Sequence, residues 1–195
     1  IDDNNNLAKI PAVEIQFLIL AQQRAVDYAY KKGAVIVTSA GNDATNFDGG
    51  GSWFKLPAGL AKVITVSATA PDYWYRDLVN GIIPNLDIPA SYTDYGKSFV
   101  EVAAPGGDFD FYPNQNYHWD MVLSTYPQGY VWMAGTSMAA PHVSGVAALI
   151  IGKNGGQMRP IDVITRLEKT ADKIDGKGIS PYYGFGRVNA YRAVQ

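Results

Sequence analysis

A serine followed by small residues is the feature of this chain that could do chemistry. Residues 135–142 read Gly-Thr-Ser-Met-Ala-Ala-Pro-His, which predicts a helix that begins at Ser137 and tolerates Pro141 in its first turn. The free N–H groups and positive dipole at such a helix start stabilise negative charge beside the serine hydroxyl. Acyl transfer by a serine nucleophile needs this arrangement, and a serine that only caps a buried helix is the alternative.

A second group of polar residues follows a predicted strand. Residues 39–42 read Ser-Ala-Gly-Asn and stand at the carboxyl end of that strand, where open α/β sheets bind ligands. Gly41 lets the backbone approach a substrate closely, and the Asn42 amide is a donor for an oxygen that gains charge. An ordinary Gly-Asn turn is the alternative interpretation.

The chain offers little to activate a serine, since it has only two histidines. His118 lies in an aromatic stretch, where we expect a loop residue. His142 comes five residues after Ser137 inside the same predicted helix, where we expect a packing or hydrogen-bonding role. The general base and the acid that orients it are therefore not evident.

Helices and strands alternate along the chain, which predicts a layered α/β structure with a mostly parallel sheet in one compact unit. We expect the first helix, rich in apolar side chains, to be buried. The predicted helices cover 11–32, 137–152 and 160–171, with a short one beginning near Val188, and the predicted strands cover 34–38, 63–66 and, more weakly, 99–102. Two aromatic-rich stretches, around Tyr73–Tyr75 and Phe109–Trp119, are predicted as loops or short hairpins that use their rings for packing.

Composition excludes several classes of partner. Sixteen basic and eighteen acidic residues give a net charge of −2, which indicates neither a nucleic-acid nor an anionic-membrane partner. The chain has no cysteine, which excludes disulfides, thiolate zinc sites and cysteine catalysis. No apolar run is long enough to span a membrane, and no signal peptide is predicted.

Residues 135–146 resemble the nucleophile segment of the subtilisin-like serine proteases, and three other segments resemble that family in the same order. These are Val35–Asn42, the Ala-Pro-Gly turn at Val102–Gly106 and the closing segment Tyr183–Ala190. The resemblance runs from about Ala25 to Val194 and implies a mostly parallel, doubly wound α/β sheet flanked by helices. It also implies a serine endopeptidase that hydrolyses peptide bonds without a required cofactor. The roles that it implies are Ser137 as nucleophile, Asn42 with the Ser137 N–H as oxyanion hole, and Ser39, Ala40, Gly41 and Thr136 as substrate-binding residues.

Three family segments have no counterpart here: the Asp-Thr/Ser-Gly and His-Gly-Thr-His segments that hold the acid and base, and a substrate-binding Ser-x-Gly strand end before the first helix. We therefore expect residues 1–195 to be the C-terminal half of one subtilase catalytic domain, near background in activity alone and needing a complementary N-terminal half. A sheet divided in this way exposes an unpaired edge and apolar helix surface. A non-catalytic, peptide-binding scaffold is the alternative. An α/β-hydrolase is disfavoured, because its histidine follows the serine at a distance.

Two finer expectations follow from the resemblance. Lys55 aligns near the floor of the first specificity pocket, where it would favour an acidic substrate side chain; an exposed loop lysine is the alternative. Secretion is expected because the family is largely extracellular.

The resemblance also allows a structural calcium ion, to which no ligands are assigned. Asp108, Asp110 and Asp120 flank an aromatic loop, but Tyr112 and Pro113 break the helix-loop-helix calcium pattern.

Overall fold

The computed structural model of this chain describes residues 11–49, 54–71, 73–109, 117–176 and 178–195. The expectations that involve Ile1–Ile10, Asp110, Tyr112 and Pro113 lie outside these residues. The helices are α1 (Ala12–Lys31), α2 (Trp74–Val79), α3 (Thr136–Lys153), α4 (Pro160–Thr170) and α5 (Ala190–Ala193), with a 3₁₀ turn at Tyr117–Asp120. The strands are β1 (Ile36–Ser39), β2 (Val63–Ala70), β3 (Ile88–Pro89), β4 (Val102–Pro105), β5 (Val122–Tyr126) and β6 (Gly129–Met133).

Strand β2 is the centre of a mostly parallel sheet, as predicted. It pairs in parallel with β1, from Ile36↔Val63 to Ser39↔Val66, and with β4, from Val66↔Val102 to Thr69↔Pro105. The short β3 is antiparallel to the end of β2. All eight residues of β2 are buried, including three hydroxyl side chains, as expected for an internal parallel strand covered on both faces. The strand predicted at 99–102 lies three residues further along the chain.

Helices cover both faces of this sheet because side chains alternate along β2. Ile64, Val66 and Ala68 pack in one cluster with α3, α4 and α5, whereas Val63 packs on the other face with Val26 of α1. The architecture is therefore doubly wound. Three fully buried or nearly buried residues of α3, Ala139, Val143 and Ala147, bring that helix close to the sheet because their side chains are small.

Helix α1 has the predicted bounds but is not buried. Only Val26 is buried along its length, while Val13 is 70% exposed and Phe17 is 72% exposed. The apolar run that forms β1 predicts an internal strand with both faces covered, and helices do contact both faces, at Val37 and at Ile36. Strand β1 nevertheless lies at the edge of the sheet and is half-buried throughout. Both elements are exposed because a neighbouring element is missing among the described residues. No strand pairs with the outer edge of β1, and no helix covers the apolar face of α1.

The aromatic-rich stretches form more regular structure than the sequence predicted. The first contains helix α2, and the second is followed by the antiparallel hairpin of β5 and β6, with Val122 opposite Met133. Trp74, Trp119 and Trp132 join these parts, with ring centroids 5.7 Å apart for Trp74–Trp119 and 5.6 Å for Trp119–Trp132. The rings pack against one another, as expected. The missed signal for the hairpin was the pair of β-branched and aromatic runs on either side of Pro127–Gly129.

Candidate active site

Ser137 lies in the first turn of α3 and is exposed. The residue before the helix is Gly135, whose φ of 155° places it in a backbone conformation that favours glycine. Among the described residues, the Ser137 N–H donates to no acceptor, as expected for the first N–H groups of a helix. The sequence therefore predicted correctly that a serine hydroxyl and a free backbone donor stand together at a helix start.

Asn42 follows β1 and reaches the same helix start with its side chain. Its Oδ1 accepts hydrogen bonds from the backbone N of Thr136 at 3.0 Å and from Thr136 Oγ1 at 2.7 Å. Because a backbone N–H can only donate, the oxygen of the Asn42 amide must face Thr136. The nitrogen Nδ2 therefore faces the other way and remains available as a donor.

The two free donors lie around one space. A Cβ atom built on Gly135 would stand 3.5 Å from Asn42 Nδ2 and 3.7 Å from Ser137 N. The absence of a side chain at Gly135 thus keeps the space beside both N–H groups open. A side-chain donor and a backbone donor therefore lie near one point beside the serine at the start of α3.

Thr136 is buried and connects Asn42 and Gly41 to the start of α3. Its side chain is 1% exposed, and its Oγ1 accepts from Gly41 N at 3.1 Å while donating to Asn42 Oδ1. The predicted substrate-binding residue is therefore placed as a positioning residue, which ties the end of β1 to the start of α3.

The Ala-Pro-Gly turn at Val102–Gly106 contacts the backbone just before α3 and supports the start of that helix. Gly106 O accepts from Gly135 N at 3.0 Å, and a Cβ on Gly106 would stand 2.5 Å from Ala68 Cβ and 2.8 Å from Gly135 O. The Tyr92 hydroxyl lies 3.1 Å from Gly106 O and 2.5 Å from Gly107 O. Burial, with the nearby Asp108 charge, raises the Tyr92 pKa, so the phenol stays a neutral donor.

The remaining predicted substrate residues form the strand end beside Asn42. Ser39 is half-buried and Ala40 is fully buried, backbone included, so Ala40 exposes no surface for a substrate to contact. Lys55 lies close to Gly41, since a Cβ built there would stand 2.0 Å from Lys55 Nζ; its place in a specificity pocket stays a prediction. The sequence did not reveal that this ammonium group is ion-paired with Asp43 and Asp94.

Neither histidine forms a hydrogen bond with Ser137 among the described residues. His142 is exposed, and its Nδ1 lies 2.8 Å from Met138 O, so that nitrogen donates to the helix backbone. His118 stacks in the tryptophan cluster, 5.1 Å from the Trp119 ring centre. An open groove of about 300 Å³ separates Ser137 from strand β5, and no hydrogen bond of the described residues joins Ser137 Oγ to a base.

The carboxylates of Asp108 and Asp120 accept hydrogen bonds from neighbouring segments of the chain. Asp108 accepts from Ser91 N and Oγ and from Phe109 N, and Asp120 accepts from Trp74 N at 2.8 Å. Within the described ranges there is no group of three or more His, Cys, Asp or Glu residues able to hold a metal ion. Asp110 lies outside the described residues, so the calcium ion stays a prediction.

Comparison with known proteins agrees with this geometry. The chain is 38% identical over 176 residues to thermitase of Thermoactinomyces vulgaris, covering 89% of this chain and 48% of thermitase. It is 36% identical over 172 residues to a thermophilic serine proteinase of Bacillus sp. strain AK1, covering 88% of this chain and 33% of that protein. The chain thus spans half or less of these relatives and matches their C-terminal part.

Solved structures give the same result. A lanthipeptide protease superposes with a TM-score of 0.74 at 28% identity, covering 94% of this chain and 57% of that one. The epidermin leader peptide processing serine protease EpiP of Staphylococcus aureus superposes with a TM-score of 0.73 at 28% identity, covering 99% of this chain and 47% of that one. The profile of the subtilase family (peptidase S8) matches residues 15–186, and the chain therefore belongs to the subtilase family.

Proposed function

We propose that this chain supplies the nucleophile and the oxyanion hole of a serine endopeptidase. The observation that carries the proposal is that Asn42 Nδ2 and Ser137 N lie 3.5 Å and 3.7 Å from one point, the Cβ position of Gly135, at the start of the helix that holds Ser137. A helix N-cap alone would account for Ser137 but not for an asparagine held in one orientation by two hydrogen bonds from Thr136.

The chemistry follows from these positions. Ser137 Oγ attacks the carbonyl carbon of a peptide bond while a base takes the hydroxyl proton. The carbonyl oxygen becomes negatively charged and accepts hydrogen bonds from Asn42 Nδ2 and Ser137 N. The tetrahedral intermediate then collapses, the protonated amine leaves, and water releases the acyl group from Ser137 by the same steps.

The base and its orienting acid come from a complementary N-terminal half of the domain, which docks on this chain. The exposed side of α3 supports this, because it carries small residues beside the groove at Ser137, namely Pro141, Ser144, Gly145 and Ala148. The half-buried β1 and the exposed apolar face of α1 support it further, since a soluble protein covers large apolar surfaces. The described residues alone are therefore expected to hydrolyse peptides at a rate near background.

The whole enzyme acts on peptides or proteins outside the cell. Support comes from relatives whose names describe them as extracellular proteases, from Xanthomonas campestris and Dichelobacter nodosus, which are 34% and 33% identical to this chain. In the part of the chain that the structure describes, no helix is long and apolar enough to cross a membrane.

A fluorophosphonate probe tests the proposal, because it reacts only with an activated serine. The protein that carries this chain together with the upstream half should be labelled at Ser137, and Ser137→Ala should abolish the label. The chain alone should remain unlabelled. A folded full-length protein that neither reacts nor cleaves peptides would support the alternative, a peptide-binding scaffold without catalysis.

A further inference from the structure

Tyr92 is a buried tyrosine to which the proposed chemistry assigns no part. The residue is 9% exposed, and its ring stacks on that of Phe109 with the centroids 5.7 Å apart and the planes 10° from parallel. Its hydroxyl lies 2.5 Å from Gly107 O and 3.1 Å from Gly106 O. Because a phenol has one proton to donate, the nearer carbonyl, that of Gly107, receives the stronger hydrogen bond. The hydroxyl therefore holds the backbone at the end of the Ala-Pro-Gly turn.

Through this turn the Tyr92 hydroxyl reaches the backbone that leads into Ser137. Gly106 O accepts a hydrogen bond from Gly135 N at 3.0 Å. Burial is the main cause that raises the Tyr92 pKa, and a hydrogen bond with the Gly135 backbone opposes that rise, so the phenol oxygen also lies next to the Gly135 N–H. The side chain of Tyr92 thus supports the residue that stands just before α3.

The backbone of Tyr92 holds the loop that carries Asn42. Ala44 N donates to Tyr92 O at 2.8 Å, and Ala44 is in the left-handed conformation with a φ of 49°. Two residues after Tyr92, Asp94 Oδ1 accepts from Asp43 N at 3.0 Å. The two residues that directly follow Asn42 are therefore both bound to the segment that begins at Tyr92.

The separation of the two candidate oxyanion donors depends on how these segments lie against each other. Asn42 Nδ2 belongs to the loop after β1, whereas Ser137 N belongs to the first turn of α3. A hydrogen bond to a developing charge loses much of its value when its donor is misplaced. Tyr92 contacts the first segment with its backbone and supports the second with its hydroxyl, so it can affect catalysis without contacting substrate.

We propose that Tyr92 is a positioning residue of the oxyanion hole, whose hydroxyl fixes the start of α3 relative to the Asn42 loop. The ring alone accounts for the packing on Phe109, and a phenylalanine would fill the same space. Only the hydroxyl connects this ring to the carbonyls of Gly106 and Gly107. The inference rests on the proposed endopeptidase function, because it concerns the two donors of that site.

Tyr92→Phe in the full-length protein tests the inference, because it removes the hydroxyl and keeps the ring. Fluorophosphonate labelling taken to completion counts the reactive serines, so kcat is expressed per labelled site and does not depend on how much of the variant folds. We expect kcat to fall about 10-fold as the donors lose their alignment. KM should change by less than about 2-fold, because no contact with the ground-state substrate is removed.

Tyr183→Phe is the matched control. Tyr183 is also buried, and its hydroxyl donates to a backbone carbonyl, Asp87 O, at 2.6 Å. Asp87 lies just before β3 rather than at the start of α3. The control therefore loses the same kind of buried hydrogen bond and should keep the wild-type kcat and KM.

Tyr92→Phe made in the Asn42→Ala protein separates positioning from general support. Once one donor is gone, removal of the hydroxyl should lower kcat by less than about 3-fold, since residues that act through one another are not additive. An equal loss of kcat in Asn42→Ala and in wild type, or a Tyr92→Phe kcat equal to that of Tyr183→Phe, would overturn the inference and leave the endopeptidase intact. A wild type that cleaves no peptide and takes no label would overturn the proposed function, and this inference with it.

Discussion

Thr136 and Asn42 are joined by two hydrogen bonds that leave the Asn42 amide one orientation, with its oxygen toward the helix start and its nitrogen toward the groove. The buried Thr136 thus fixes the orientation of Asn42, the side chain proposed as one of the two oxyanion donors. The two residues are far apart in sequence and meet only because β1 ends where α3 begins.

Replacement of Asn42 by alanine tests that donor. Removing one oxyanion donor costs roughly 10²–10³-fold in kcat, a magnitude established within the subtilase family itself. KM should change little, since the hydrogen bond strengthens only as the oxyanion forms. Steady-state kinetics of full-length Asn42→Ala measure both values, and a rise in KM at constant kcat would show that Asn42 binds substrate instead.

Replacement of Thr136 tests whether the orientation of the Asn42 amide affects catalysis. Thr136→Val keeps the size of the side chain but removes Oγ1, which frees Asn42 to turn and leaves the Gly41 N–H without its acceptor. We expect kcat to fall roughly 10- to 100-fold, because a misplaced donor loses much of its value. Stability should fall by about 1–3 kcal/mol for the unsatisfied buried group.

Thr136→Ser is the matched control, since it retains the hydroxyl. It should recover most of kcat, with KM close to wild type. A Thr136→Val enzyme with unchanged kcat would show that the backbone hydrogen bond to Asn42 is enough to hold the amide.

The close packing around Gly106 predicts that this glycine also supports the start of α3. Gly106→Ala would push a methyl group against Ala68 Cβ and Gly135 O, which both belong to packed backbone or core. We expect a loss of about 1–3 kcal/mol in stability, typical of overpacking, with a lower kcat because Gly135 lies between the two donors. Gly129→Ala in the hairpin is the control, as nothing lies within 4 Å of its Cβ position. Equal melting temperatures for the two variants would contradict the prediction.

How much of this site could be predicted depends on how local each signal is. Ser137 and its helix lie in one continuous run, so their placement followed from the sequence, as did that of Asn42 at a strand end. The ion pair of Lys55 with Asp94 spans 39 positions, and neither residue has a neighbour in sequence that predicts the pair. It depends on the loop before β2 and the loop between β3 and β4 meeting in space.

The exposure of α1 shows the same limit for the fold. Its period and its Gly33 stop predicted the helix bounds, because both are properties of the segment itself. Its burial depends on which other element covers Val13 and Phe17, and in the described residues none does. An apolar helix face predicts a partner surface without saying where that surface lies in the sequence.

Glu101 predicts a pH dependence of stability that is separate from catalysis. Burial raises its pKa to about 7, against the hydrogen bond that Thr65 N donates to Oε2 at 2.6 Å, and the nearby Glu168 charge raises it further. Glu168 lies on α4, and burial raises its pKa as well. Both pKa values are raised chiefly because burial disfavours the charged form of each carboxyl group.

The folded state therefore keeps a proton on Glu101 that the unfolded chain, with the ordinary glutamate pKa of 4.5, releases. Stability from this group is fully present below pH 4.5 and is lost as the pH rises to about 7. At 1.36 kcal/mol for each pKa unit, the loss is at most about 3 kcal/mol. Glu101→Gln cannot release a proton, so it should remove this part of the pH dependence.

Urea unfolding of the full-length Ser137→Ala protein, which cannot digest itself, measures the effect at pH 5 and pH 8. Between these values Glu101→Gln should lose less stability than its parent, by up to about 3 kcal/mol. Glu14→Gln, an exposed glutamate on α1, corrects for the change in net charge. If Glu101→Gln and Glu14→Gln change equally between the two pH values, the buried carboxyl is already ionised at pH 5, and the hydrogen bond from Thr65 outweighs burial.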